Sequence, residues 1–171
     1  TTTVTPPLEV AGHWDDNYGG TWTITDSAWG PSKVVSYDDD ARSAILQSPA
    51  DDPYTPNEFA KFVWTKPDES GFWLCTVDYG EASAAAAKAT TKTADASDPS
   101  TGGCGGFAWT RMVPHFDLDG TWDLASGGTV DITAFTWGDQ TVVSYDDASQ
   151  FAILAAADDT FSKVVWTRPD A

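Results

Sequence analysis

Adjacent acidic residues are the side chains of this 171-residue chain with the clearest capacity for chemistry. They stand in stretches typical of turns, at Asp15-Asp16, Asp38-Asp39-Asp40, Asp51-Asp52, Asp146-Asp147 and Asp158-Asp159. Two carboxylates facing across a cleft can hydrolyse a glycosidic bond, but neighbours in one turn point apart. Calcium suits such oxygen ligands better, with Asp15, Asp16 and Asn17 as candidate ligands. Solvated turns are the simpler interpretation, since a complete calcium-loop motif is missing.

The histidines and cysteines do not form a catalytic or zinc-binding pattern. His13 and His115 are accompanied by no nucleophile motif of the Gly-x-Ser-x-Gly kind. Together with Cys75 and Cys104, they also lack the spacing of zinc ligands. The sequence therefore predicts a protein without enzymatic activity or catalytic residues, and without a cofactor unless calcium binds.

Cys75 and Cys104 bracket an alanine-rich segment and predict one disulfide. Closing that loop stabilises a fold by about 3–4 kcal/mol through the lost entropy of the unfolded chain. Disulfides persist in oxidising compartments, and the chain starts at Thr1 with neither a methionine nor a signal-like apolar run. We therefore expect a processed protein located outside the cell or at its surface.

Nine tryptophans are the second set of candidate residues. Six recur as equivalent pairs in an internal repeat, which predicts core positions: Trp14, Trp29, Trp64, Trp122, Trp137 and Trp166. Trp22, Trp73 and Trp109 have no tryptophan counterpart. These three are freer to stack on a sugar ring or to pack against a partner, although core packing accounts for them as well.

The elements that must position these residues come from a stretch that the chain contains twice. Residues 8–46 align without a gap to residues 116–154, at a constant separation of 108 positions. Alternation of apolar and polar residues, as in Leu8–Trp14 and Thr21–Thr25, predicts short strands joined by turns rich in Gly, Asn and Asp. The expected fold is all-β, with two tandem duplicated antiparallel modules, each a sandwich or small barrel.

Three segments follow from this repeat. Residues 1–7 form an extended arm, in which two prolines that cannot donate to a ladder follow a run of β-forming residues. The residues of this assembly arm are Thr1, Thr2, Thr3, Val4 and Thr5. The first module spans residues 8–114 and contains an inserted alanine-rich helix, predicted over Glu81–Ala96, before a strand over Cys104–Arg111. Residues 115–171 form a second, shorter module.

The second module lacks counterparts of the last strands of the first. Such a module exposes ladder edges that proteins normally cover or pair. These edges can be covered in two ways. In the first, the extra strands of the first module close the second module within one chain, and the protein is a monomer. In the other, the arm Thr1–Val10 of one subunit fills the sheet of the next by donor-strand complementation. That head-to-tail contact does not close, so it would build a filament.

The net charge of −17 limits the classes of partner. It repels nucleic acid phosphates and anionic lipids, so neither is an expected ligand. No apolar stretch is long enough to span a membrane. Acidity also keeps a protein in solution without any specific partner.

The first module carries Gly-Gly-Thr-x-x-Ile-Thr, a Tyr-Asp turn, a Trp-Thr strand, a strand ending in Cys75, an alanine-rich segment and Gly-Cys-Gly-Gly-Phe-Ala-Trp-Thr. This pattern resembles uncharacterised bacterial secreted proteins and surface lipoproteins over Leu8–Pro114, and through Pro169 in the second copy. The Gly-x-Trp triplets at Gly12 and Gly120 are similar to that of lipocalin-like barrels. The resemblance implies a cell-surface location and transfers no catalytic residues.

These observations predict a secreted, non-enzymatic structural or interaction protein of the cell surface that associates with itself. In its most specific form, the prediction is an extracellular filament assembled by strand exchange through the N-terminal arm. The alternative is a ligand-binding module, lipocalin-like or carbohydrate-binding, with a surface lined by tryptophan.

Overall fold

The computed structural model describes residues 7–167. These residues fold mainly into antiparallel strands and divide into two compact units. We call the residues up to 114 the first module and those from 115 the second module. The expected all-β fold of two tandem antiparallel modules, with one helix inserted in the first, is confirmed.

The first module is a closed barrel of eight strands. They are β1 (Gly12–Asp16), β2 (Thr21–Ile24), β3 (Ala28–Trp29), β4 (Ser32–Asp38), β5 (Ser43–Gln47), β6 (Phe59–Trp64), β7 (Phe72–Glu81) and β8 (Thr110–Pro114). Each strand pairs with the next along the chain, and β1 also pairs with β8, so that Asp16 lies opposite Met112. Because the sheet closes on itself, the barrel has no free edge.

Side chains fill the interior of the barrel. The buried core consists of Leu8, Val10, Ile24, Trp29, Val34, Ala44, Leu46, Trp64, Phe72, Leu74 and Met112. Aromatic rings pack edge to face across it, with 4.8 Å between the ring centroids of Trp14 and Phe72 and 5.5 Å between those of Trp29 and Phe62. An eight-stranded barrel encloses just enough space for such a packed core.

The segment before β1 differs from the prediction. Leu8 and Val10 were expected in the first strand and in a free arm, but they are 2% and 0% exposed. They lie in a turn in which Ala11 donates its backbone N–H to the carbonyl of Leu8, and the strand begins only at Gly12. Burial of both apolar side chains therefore anchors this segment to the first module. The predicted assembly arm, Thr1, Thr2, Thr3, Val4 and Thr5, lies outside the described residues.

The helix is shorter than the sequence predicted. Helix α1 covers Ala84–Ala89, whereas the prediction ran over Glu81–Ala96. Strand β7 occupies the start of that range, and the hydroxyl of Ser83 caps the helix by accepting from the N–H of Ala86 at 3.1 Å. The helix ends at Ala89, and a threonine-rich stretch begins at Thr90, because β-branched residues favour extended backbone.

The predicted disulfide is confirmed, and it joins Cys75 of β7 to Cys104. The predicted strand over Cys104–Arg111 is wrong at its start, because β8 begins at Thr110. Cys104 instead lies in a tight turn, where Gly105 and Gly106 adopt positive φ angles of 58° and 95°. Glycine adopts this conformation without steric strain, so the turn brings Cys104 back to the barrel.

An ion pair fixes the segment between β7 and β8, residues 82–109, to the barrel at a second point. Asp78 of β7 is 2% exposed, and the ammonium group of Lys92 donates to its carboxylate. The hydrogen bond from Lys92 holds the pKa of Asp78 below its ordinary value. The helix and the loop after it are therefore fixed to β7 through both a covalent and an ionic contact.

The second module is an open sheet of six strands. They are β9 (Gly120–Asp123), β10 (Thr129–Ile132), β11 (Thr136–Trp137), β12 (Gln140–Asp146), β13 (Phe151–Ala155) and β14 (Phe161–Val165). Each strand pairs with the next, so β9 and β14 are the two edges. Phe116, Leu118, Ile132, Ala134, Val142, Ala152 and Leu154 are buried.

Candidate interaction site: the open edges of the second module

The repeat gives the two modules the same local geometry. Strands β4 and β12 carry a register shift at the equivalent position of their pairing with the next strand. The indole N–H of Trp14 donates to the carbonyl of Val10 at 2.9 Å. The equivalent bond of the second module joins Trp122 to Leu118 at 2.8 Å. The shared strands are therefore comparable position by position.

Two strands of the barrel, β7 and β8, have no counterpart in the described part of the second module. Strands β9 and β14 correspond to β1 and β6, which in the barrel pair with β8 and β7. Within residues 7–167, no strand pairs with the outer edge of β9 or of β14. Relative to the barrel, the second module therefore has a gap two strands wide.

Side chains of β14 are exposed, whereas their counterparts on β6 have β7 as the neighbouring strand and helix α1 packed on the same part of the sheet. Phe161 and Val165 are 68% and 69% exposed. Their first-module counterparts, Phe59 and Val63, are half-buried. Because apolar surface favours burial, β14 presents two exposed apolar side chains, one on each side of Lys163, that the first module does not.

The residues beside the gap are also less covered than in the barrel. Trp64 is 3% exposed under β7, whereas its counterpart Trp166 is half-buried. Leu124, which follows β9 at the other edge, is 45% exposed. Phe116 covers part of Trp166, with 5.5 Å between the ring centroids.

The backbone of β14 is oriented for pairing with one more strand. Trp166, just after β14, donates its backbone N–H to the carbonyl of Gln150 at 3.1 Å, on the β13 side. Backbone groups alternate in direction along an antiparallel strand, so Lys163 and Val165 direct their N–H groups toward the gap. In the first module, Thr65 has this alternate direction and donates to a carbonyl of β7 at 3.0 Å.

The three tryptophans proposed from sequence do not form one surface. Trp109 is only 3% exposed and donates its indole N–H to a backbone carbonyl, so its predicted surface role is wrong. Trp22 is half-buried and donates to the carboxylate of Asp16 at 2.7 Å. Trp73 is half-buried beneath the guanidinium of Arg111, which lies 5.3 Å from the ring centroid.

The calcium candidates have their oxygens engaged in the turn after β1. Asp16 accepts from the backbone N–H groups of residues 18 and 20, both at 2.8 Å. Asp15 accepts from the hydroxyl of Thr21 at 3.1 Å, and Asn17 accepts from the backbone N–H of Arg111 at 2.8 Å. Asp15 and Asp16 are also 4% and 6% exposed. These bonds give all three residues a structural role in the barrel.

Sequence reasoning did not identify Phe161 and Val165 as functional residues. Val165 lies in residues 163–170, which match residues 61–68 of the first module, and Phe161 comes just before this stretch. The available signal was the apolar character of these two positions. An open sheet edge, unlike a core position, is recognised only once the pairing partners of each strand are known.

Two further observations bear on the class of protein. No helix in the described part of the chain is long and apolar enough to cross a membrane. Comparison with family models, with curated proteins and with solved structures finds no match to this chain.

Proposed function

We propose that this chain is a non-enzymatic structural or interaction protein that acts outside the cell, and that its second module binds a β-strand of another polypeptide. The observation that carries the proposal is the contrast between a closed eight-stranded barrel and an open six-stranded sheet built from one repeated sequence. The disulfide supports the extracellular location. The resemblance to bacterial secreted and surface proteins points the same way.

Strand addition is the binding mode that the edge of β14 favours. Main-chain hydrogen bonds to an added strand supply affinity, and pockets for alternate side chains supply specificity. Here Lys163 and Val165 direct backbone groups toward the gap, and Phe161 and Val165 add apolar surface. Lysine on an edge strand discourages non-specific pairing, and Lys163 is the only charged residue of β14.

The donor that we propose is the arm Thr1–Thr5 of a second copy. Its five residues equal β14 in length, and the prolines that follow cannot donate to a ladder, so they would end the added strand. Burial of Leu8 and Val10 anchors the other end of the arm to its own barrel. A contact between the arm of one copy and the edge of the next is heterologous, so it generates a filament or ring.

Analytical ultracentrifugation over a concentration series tests this proposal. We expect the intact chain to form assemblies, and a chain lacking Thr1–Thr5 to remain a monomer. Val165→Pro should also remain a monomer, because proline removes an N–H that faces the gap and leaves the bonds to β13 intact. Val165→Thr is the matched control, since it retains the N–H and should still assemble.

Hydrogen exchange identifies the surface involved. The amides of Lys163 and Val165 should exchange rapidly in the monomer and slowly in the assembly. A strictly monomeric intact chain would exclude a second copy as the donor. Assembly that survives Val165→Pro, with the Lys163 amide still exchanging rapidly, would exclude the edge of β14.

A further inference from the structure

The mouth of the first barrel holds an open hollow of about 290 Å³. Its floor contains Leu46, Ala60 and Phe62, whose side chains belong to the inward face of β5 and β6. Ser32 of β4 and Thr76 of β7 add hydroxyl groups at the same level. Mouths of β-barrels are common positions for small-molecule sites, which combine apolar walls with a few placed polar groups.

Two exposed tyrosines border this hollow. Tyr54, in the loop between β5 and β6, is 89% exposed, and Tyr79, on β7, is 70% exposed. A tyrosine ring presents an apolar face together with a polar hydroxyl, which suits ligands that are partly apolar and partly hydroxylated. Tyr18 and Phe107 are as exposed as Tyr79, but neither lines the hollow.

The loop that carries Tyr54 is held in place by its own hydrogen bonds. The carboxylate of Asp52 accepts from the backbone N–H groups of Tyr54 and Thr55 at 2.9 and 2.7 Å. These bonds hold the pKa of Asp52 below its ordinary value. Ser48 donates its backbone N–H to Glu58 at 2.9 Å and closes the loop. A binding surface fixed in advance loses less conformational entropy when a ligand binds.

The charge of the hollow selects against anions. Asp52 is the only ionisable carboxylate of the lining, and the lining contains no lysine, arginine or histidine. The net charge of −17 also repels an anionic ligand. The tyrosine faces and the hydroxyl groups of the lining suit a ligand that bears hydroxyl groups and has an apolar face.

We propose that this barrel mouth binds a neutral saccharide. The apolar face of a sugar ring lies against Tyr54 and Tyr79, and its hydroxyl groups bond to Ser32 and Thr76. The second module lacks the corresponding features, because its loop over residues 156–160 is six residues shorter than the loop over residues 48–58 and no described strand corresponds to β7. The expected stoichiometry is therefore one sugar per chain.

A titration of the full chain, followed by amide NMR shifts and calorimetry, tests the site. The probes are glucose, galactose, mannose, N-acetylglucosamine and maltose, with N-acetylneuraminic acid as the anionic control. We expect at least one neutral sugar to saturate with shifts at Ser32 and Thr76. The double variant Tyr54→Ala/Tyr79→Ala should weaken its affinity about tenfold or more.

Tyr18→Ala is the matched control, since Tyr18 is 73% exposed but lies outside the hollow, and its affinity should equal that of the native chain. Equal binding by the double variant and the native chain would overturn the proposal. So would the absence of saturable binding by every neutral sugar, or tighter binding of the anionic control. Val165→Pro should leave sugar binding unchanged, so this site is judged independently of strand addition.

Discussion

The two modules of this chain share a sequence and its local geometry but differ in closure. Equivalent strands carry the same register shift, and equivalent tryptophans make the same indole bond. The first module closes because β7 and β8 lie outside the repeated stretch and fill the space between β6 and β1. The comparison shows that the repeat encodes the turns and pairings, while other residues decide whether the sheet becomes a barrel.

The difference extends to the core. In the first module, Phe72 of β7 packs edge-on against Trp14 and completes the interior. The second module has no such residue in its described part, but it carries Phe116 where the first has Leu8. Phe116 is fully buried, with its ring 4.4 Å from that of Tyr145. The larger side chain at this position thus gives the second module ring contacts that Leu8 does not give the first.

The largest effect should come from truncating one equivalent tryptophan in each module. Trp29 is 1% exposed, whereas its counterpart Trp137 is half-buried. We expect Trp29→Ala to lower the free energy of unfolding of the first module by about 3–5 kcal/mol. Trp137→Ala should destabilise the second module by about 1–3 kcal/mol, because less of its surface leaves water on folding.

Hydrogen exchange under increasing urea measures the two modules separately, through the amides of β5 and β13. Each variant serves as the control for the other, since a substitution in one module should leave the other unchanged. Equal losses from both substitutions would mean that the open sheet is as well packed as the barrel, and would contradict the comparison.

The disulfide should give the next largest effect, and only in the first module. Replacing both Cys75 and Cys104 by alanine should lower the stability of the barrel by about 3–4 kcal/mol, because the unfolded chain regains the entropy of the closed loop. The second module contains no cysteine, so the protection of its β13 amides should not change. A loss shared by both modules would show that they unfold as one cooperative unit.

Sequence alone predicts the repeated part of this fold well. Alternation and turn residues identify most strands of both modules, and the position of Cys75 and Cys104 around the alanine-rich segment predicts their bond. These features depend on residues close together in the chain or on one covalent bond. Such features can be predicted without knowledge of the tertiary structure.

The remainder depends on tertiary contacts that local patterns do not contain. Glu81 precedes the alanine-rich segment and was assigned to a helix with it, but it pairs with Phe59 as the end of β7. Trp109 lacks a counterpart in the repeat, which favoured a surface position. Its indole N–H instead donates to the backbone carbonyl of Asp95, in the segment between β7 and β8. The edge of β14 and the tyrosines of the barrel mouth likewise follow from which strands are present, not from any motif.

The smallest predicted effect concerns Asp147, the counterpart of Asp39. Burial raises the pKa of Asp147, and the negative charges of Asp117 and Asp146 add to this, whereas the backbone N–H of Asp117 and the charge of His115 oppose it. The bond from Asp117 is long, at 3.4 Å, while Asp39 accepts from Glu9 at 3.0 Å. The second module therefore holds its carboxylate less favourably than the first.

A pKa raised by folding means that the folded state prefers the protonated acid, so this contribution to stability is present at low pH and is lost as the pH rises through the folded pKa. Asp147→Asn removes the unfavourable ionisation and should stabilise the second module at pH 7 by a few tenths of a kcal/mol, since solvent screens the half-exposed group. Its stability advantage over the native chain should shrink toward pH 3.

Asp146 and Asp158 have lowered pKa values and the opposite pH dependence, so only the difference between the variant and the native chain isolates Asp147. Urea midpoints followed at the β13 amides from pH 3 to pH 7 provide the measurement, and an advantage that grew on acidification would show that Asp147 is stabilised as a carboxylate.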